Sequence, residues 1–108
     1  MNFDINSVMA DMLSAMKGSV GDNWEKVKPT ADQFLQRKKE RLKLLAELRI
    51  TRELSQEKFE SRLLDEKLIA EAELNAVAVI TKAIAQKAAN AAMDVVGKAV
   101  TTAIAAAL

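Results

Sequence analysis

Apolar residues return every three or four positions along most of this chain, the spacing that lines one face of an α-helix. In the first segment Ile5, Val8, Met9, Met12, Leu13 and Met16 keep this rhythm. The spacing predicts a short helix over 4–17, with Gly18 as its C-terminal stop. After the linker "GSVG", the stretch "DNWE" reads as a start signal, Asp22 capping and Glu25 completing a capping box. From there Trp24, Val27, Ala31, Phe34, Leu35, Leu42, Leu45 and Leu48 share one face. Pro29 falls inside this segment, which either kinks there or restarts at Thr30, whose "TADQ" is also a capping box. The stripe keeps phase across Pro29 and so favours a kinked, continuous helix.

Beyond Leu48 the stripe meets Arg52, Ser55 and Gln56, while Leu54 falls out of phase. A turn near "TRELSQEKF" restores the pattern. Ser55 becomes an N-cap, Glu57 and Glu60 sit in the following first turn, and Arg49 and Arg52 sit in the preceding last turn. No glycine marks this turn, so a single uninterrupted helix is the competing arrangement. Charge order favours the turn. Residues 36–52 carry seven basic and two acidic side chains, whereas residues 53–73 carry seven acidic and three basic. Folded antiparallel, the two arms set Leu48 beside Phe59, Leu45 beside Leu63, Phe34 beside Leu74, Ala31 beside Val77 and Trp24 beside Ile84. The expected architecture is therefore all-α in one domain spanning 1–108. It consists of a short helix (4–17), a basic arm (22–52) and an acidic arm from 55 to about 84, continuing as an alanine-rich helix towards 108. The arms would be roughly 45 Å long at the helical rise of 1.5 Å per residue.

The last third, "AVAVITKAIAQKAANAAMDVVGKAVTTAIAAAL", carries two apolar stripes. One runs through Val77, Ile80, Ile84, Ala88, Ala91, Val95 and Ala99, the other through Met93, Val96, Val100, Ile104 and Leu108. Polar side chains keep to a line through Lys82, Gln86, Asn90, Asp94 and Lys98. A helix apolar around so much of its circumference needs partners on more than one side. Alanines at four-residue spacing let helix axes approach closely, and Met9, Met12 and Met16 are adaptable fillers for such a groove. A helix of some fourteen residues does not cover both stripes. The expected remedy is burial between subunits, through Met9, Met12, Met16, Ala85, Ala88, Ala92, Met93, Val96, Val100 and Ile104. The charged hairpin would then project. A membrane span needs about 20 consecutive apolar residues, and Lys82, Lys87, Asp94 and Lys98 interrupt every such window.

Composition narrows the chemistry. The 108 residues contain four aromatics (Phe3, Trp24, Phe34, Phe59), no cysteine, no histidine and no tyrosine. The commonest general base, nucleophile and phenolic acid are thus missing together. Disulfides and thiolate metal sites are excluded, and no secretory signal is evident at the N-terminus. The cluster Asp65, Glu66, Glu71 and Glu73 lacks the histidines of a di-metal bundle site, and Glu66 and Glu73 lie beside the basic arm as solvated salt bridges. The basic run Arg37, Lys38, Lys39, Arg41 and Lys43 contains Glu40 and no interleaved aromatic. It reads as a solvated helix face pairing with the acidic arm. With sixteen basic against fifteen acidic residues there is no excess charge to drive general nucleic-acid binding. No glycine loop for phosphate is present.

The alanine-rich helices resemble those of the granule-coating phasins, in composition alone. The Trp-x-Gly turn of small secreted helical-hairpin proteins is absent, because Trp24 is followed by Glu25 and Lys26. The expectation is a non-enzymatic, cytoplasmic, self-assembling structural or adaptor protein with coiled-coil-like packing. Its partners would be copies of itself or another helical protein, with no cofactor, metal or small-molecule substrate. A second expectation is a membrane-active or lipid-associated protein, pore-forming or peripheral, membrane-associated or exported without a signal peptide, that meets the bilayer through residues 76–108. A third is nucleic-acid association through the basic arm.

Overall fold

A computed structural model describes residues 3–107, so Leu108, a member of the second apolar stripe, lies outside the described residues. Among the described residues four α-helices follow one another: α1 (Ile5–Val20), α2 (Trp24–Ile50), α3 (Gln56–Asn75) and α4 (Lys82–Ala107), with a short 3-10 turn at Gly21–Asn23. No strand occurs among them. The fold is all-α, with the antiparallel α2–α3 hairpin that the charge order predicts.

Helix α1 starts where Asp4 caps it, the carboxylate accepting the backbone N–H of Asn6 at 2.9 Å. It does not stop at Gly18, as the spacing predicts, but runs to Val20. The extra turn brings Val20 into phase with Met16, and both are buried. The chain turns at Gly21 instead, whose φ of 73° suits glycine and whose N–H reaches the Lys17 carbonyl.

Asp22 does not cap α2. Gly21–Asn23 coils into the 3-10 turn, Asn23 takes the capping position, and no side chain accepts a bond there. The Asn23 amide is turned away, donating to the Val79 carbonyl at 3.1 Å. Helix α2 then continues through Pro29 to Ile50 as one element. Pro29 is the sixth residue of this helix and has no N–H, so the Glu25 carbonyl one turn back lacks its usual helical partner, yet the helix continues through it.

The turn at 51–55 forms as expected, by a route that needs no glycine. Arg52 occupies the left-handed position with φ of 68°, and its N–H bonds to the Arg49 carbonyl. Leu54, out of phase with the helix stripe, tucks into the core behind the turn and bonds through its N–H to the Leu48 carbonyl. Arg49 ties the corner, donating to Gln56 Oε1 at 2.8 Å and to the Leu54 carbonyl at 3.3 Å. Ser55 caps α3, its hydroxyl accepting from the Lys58 N–H at 3.2 Å.

The acidic arm departs from expectation at its far end. It does not run on into the alanine-rich helix: α3 ends at Asn75, and residues 76–81 turn the chain back. This stretch holds Val77, Val79, Ile80 and Thr81, whose β-branched side chains disfavour helix. Thr81 then caps α4, its hydroxyl accepting from the Ile84 N–H at 3.2 Å. Helix α4 therefore lies back along the bundle. It packs most extensively on α1, next on α3, and more lightly on α2. The hairpin accordingly does not project. The Cα radius of gyration is 13.7 Å, close to the roughly 13 Å expected of a compact domain of this length. The 43 Å long axis matches the length of α2.

One core runs through the bundle. Met12, Val27, Ala31, Leu42, Ala46, Ala85, Ala88, Ala89 and Val96 are completely buried, with Phe34, Phe59, Met16 and Leu74 scarcely less so. The alanines on α4 leave room for the methionines of α1. Large, flexible side chains on one helix fill against small ones on the other, which keeps packing dense.

Candidate interaction surface

The residues that the sequence nominates for an intersubunit interface are used inside the chain. Met9, Met12, Met16, Ala85, Ala88, Ala92, Met93, Val96 and Val100 are all buried, and Ile104 is half-buried against the same core. The sequence reading places α4 as a tail beyond the hairpin, with α1 too short to cover it. The fold removes the difficulty by reversing α4, so that α1, α2 and α3 cover it together. The polar line Lys82, Gln86, Asn90, Asp94 and Lys98 is exposed along its whole length.

The basic run is divided. Arg37 pairs with Glu73 and lies over the Phe34 ring, 5.8 Å from its centroid. Arg41 Nε donates to Glu66 Oε1 at 2.6 Å, and Lys38 Nζ stands 3.2 Å from Glu66 Oε2. Glu66 is not the solvated partner expected from sequence, since only 2% of its side chain is exposed. Its position on the core-facing line of α3, between Leu63 and Ala70, carries it inward. What remains of the run is Lys39, half-buried, and Lys43, exposed. The sequence cluster Asp65, Glu66, Glu71 and Glu73 is likewise pulled apart by these pairings, and no acidic group that could hold a metal forms among the described residues.

Two exposed apolar features lie outside the expected interface. The first is an open groove of about 650 Å³ between α3 and the stretch of α4 from Asn90 to Thr102. Its floor is apolar, built from buried Phe59, Leu63 and Met93, and its α3 edge carries Leu64, 49% exposed. Leu68, one turn on, is 52% exposed. Glu60 and Lys67 flank Leu64 on that edge, and Asp94, Gly97 and Lys98 form the opposite one. Sequence periodicity ranks Leu64 and Leu68 poorly, because both sit off the core-facing line through Phe59, Leu63, Glu66, Ala70 and Leu74. The signal for them is that same offset: two leucines four residues apart, on the same helix and off its buried stripe.

The second feature is the α3–α4 connection. Ala76, Val77, Ala78, Val79 and Ile80 are five consecutive apolar residues, and none of them is buried. A side-chain bond from Asn23 holds this connection to the 3-10 turn beside it. Among the described residues, no helix is long and apolar enough to cross a membrane.

No family model matches the chain, and neither does any curated protein or solved structure.

Proposed function

We propose that the chain is a non-enzymatic helical module that binds protein, its own copies first, through the α3–α4 groove. The observation that carries this reading is the pairing of an apolar groove floor with a ridge of outward leucines, Leu64 and Leu68, beside it. What marks an interaction surface is a contiguous apolar patch, and Leu64 adjoins the apolar groove floor directly. The sequence supports a binding role over catalysis, since it offers neither histidine, cysteine nor tyrosine. Self-assembly moves from the methionine and alanine stripes, which are spent inside the bundle, to the face that the bundle leaves open. Light scattering on the purified chain tests the reading: an assembly at micromolar concentration is expected, and a stable monomer defeats it.

A second reading, contact with a lipid surface, is favoured by the Ala76–Ile80 connection, in which Ala76, Ala78 and Val79 are exposed and Val77 and Ile80 are half-buried against the core. An apolar loop at one end of a bundle inserts shallowly without unfolding the helices, and Lys82 stands next to it for an anionic headgroup. Co-sedimentation with anionic vesicles is expected to fall when the exposed Ala78 and Val79 become aspartate. Absence of vesicle binding by the unaltered chain rejects this reading.

A further inference from the structure

Resting on the self-assembly reading, we propose that the α3–α4 groove docks a second copy of this chain about a twofold axis. Helix α3 of each copy then lies antiparallel beside α3 of the other. Charge order selects this occupant. Each edge of the groove carries one acid and one base, Glu60 with Lys67 on α3 and Asp94 with Lys98 on α4. Among the described residues, Lys67, Asp94 and Lys98 enter no ion pair within the chain. Glu60 accepts only the Gln56 amide, at 3.0 Å. A partner of uniform charge meets one attractive and one repulsive group on each edge. A second copy set antiparallel offers the opposite charge to both groups on the α3 edge.

Glu60 and Lys67 stand equally far from the midpoint between Leu63 and Leu64. A twofold axis through that midpoint, perpendicular to α3, sets Glu60 of each copy level with Lys67 of the other. The same operation brings the two Leu64 side chains together over the apolar floor, where they leave water. An isologous interface requires this self-complementarity: what residue i meets in the partner, its own copy must also offer. The α4 edge leaves space for the approach. Gly97 has no side chain, and nothing lies within 4 Å of where a Cβ would stand.

The test uses the full chain and reads association by sedimentation equilibrium, with circular dichroism as a check on folding. Leu64→Asp places a charge where two apolar side chains meet. Glu60→Lys sets lysine against lysine twice, and Glu60→Lys with Lys67→Glu restores opposite charges. The first two variants are expected to raise the dissociation constant about tenfold or more, and the double variant to recover most of that loss. Glu60 and Leu64 are exposed and Lys67 is half-buried at the surface, so helicity and melting should stay close to the unaltered chain. If the unaltered chain is monomeric at micromolar concentration, the self-assembly reading falls and this proposal with it. If the chain associates but neither Leu64→Asp nor Glu60→Lys weakens it, this surface is wrong while self-assembly stands.

Discussion

Arg41 Nε lies 2.6 Å from Glu66 Oε1, joining the middle of α2 to a carboxylate that is almost wholly buried. The three members of this group differ in access to water: Arg41 is 48% exposed, Lys38 19% and Glu66 2%. The consequence is an unequal response to substitution. Removing Glu66 leaves two cations that can turn outward along their aliphatic stems. Removing both cations strands a buried carboxylate. Lys38→Met with Arg41→Met should therefore cost the most, about 3–5 kcal/mol, and Glu66→Gln distinctly less. The triple replacement Lys38→Met, Arg41→Met and Glu66→Leu should return to within about 1 kcal/mol of the original stability, or exceed it. Urea denaturation of the three variants gives the order directly, and equal losses for the first two would contradict it.

Arg52 holds a left-handed backbone with φ of 68°, a conformation that costs an L-residue roughly 1–2 kcal/mol and glycine almost nothing. Among the described residues its side chain makes no hydrogen bond or ion pair that a glycine would forfeit. Arg52→Gly should stabilise the protein by about 1 kcal/mol, offset in part by the greater freedom of glycine in the unfolded chain. A rise in urea midpoint at unchanged m is the expected result. A fall would show that the corner depends on the arginine itself.

The α2–α3 hairpin was legible because two independent signals agreed, the phase of the apolar stripe and the reversal of charge from the basic to the acidic arm. The reversal at 76–81 was not, for a physical reason. Its residues are apolar, contain no glycine or proline and keep helical spacing with those of α4, so periodicity runs through the break. The markers that do exist are local: the β-branched run of Val77, Val79, Ile80 and Thr81, and the Thr81 hydroxyl that caps α4. Missing that reversal displaced the expected interface. With α4 extended, Ala85, Ala88 and Val96 look unpartnered; with α4 folded back, they are the core, and the large apolar residues left exposed are Leu44, Leu64, Leu68, Ile69 and Val79. Periodicity shows that a face is apolar, but not which element covers it.

Asp4 supplies the pH dependence that the structure makes explicit. Its carboxylate accepts the Asn6 N–H, the main cause, and the Ser7 hydroxyl at 3.1 Å, and these bonds hold its pKa below the usual carboxylate value. A group whose pKa is lower folded than unfolded adds stability above the unfolded value, about 3.9 for aspartate. That contribution is lost as pH falls through the folded value. Acidification should therefore loosen the start of α1 in the original chain more than in Asp4→Asn, which keeps an acceptor without the titration. The carboxyl resonance of Asp4, followed by NMR, should titrate below the ordinary aspartate value of about 3.9. A midpoint at or above it would remove the cap from the account.

Gly18 and Gly21, three residues apart at the end of α1, should respond to alanine with opposite signs. Gly18 lies within the helix, exposed, with nothing within 4 Å of where a Cβ would stand. Alanine there meets no obstacle and removes backbone freedom from the unfolded state, so Gly18→Ala should stabilise by about 0.5–1 kcal/mol. Gly21 has equally open surroundings, but its φ of 73° is the conformation that turns the chain from α1 into the 3-10 turn. A Cβ there meets its own backbone rather than a neighbour, and Gly21→Ala should cost about 1–2 kcal/mol. Because space is the same at both sites, the difference isolates backbone conformation from packing. Paired urea titrations with equal m-values would measure it, and two changes of the same sign would mean that α1 does not end where Gly21 turns.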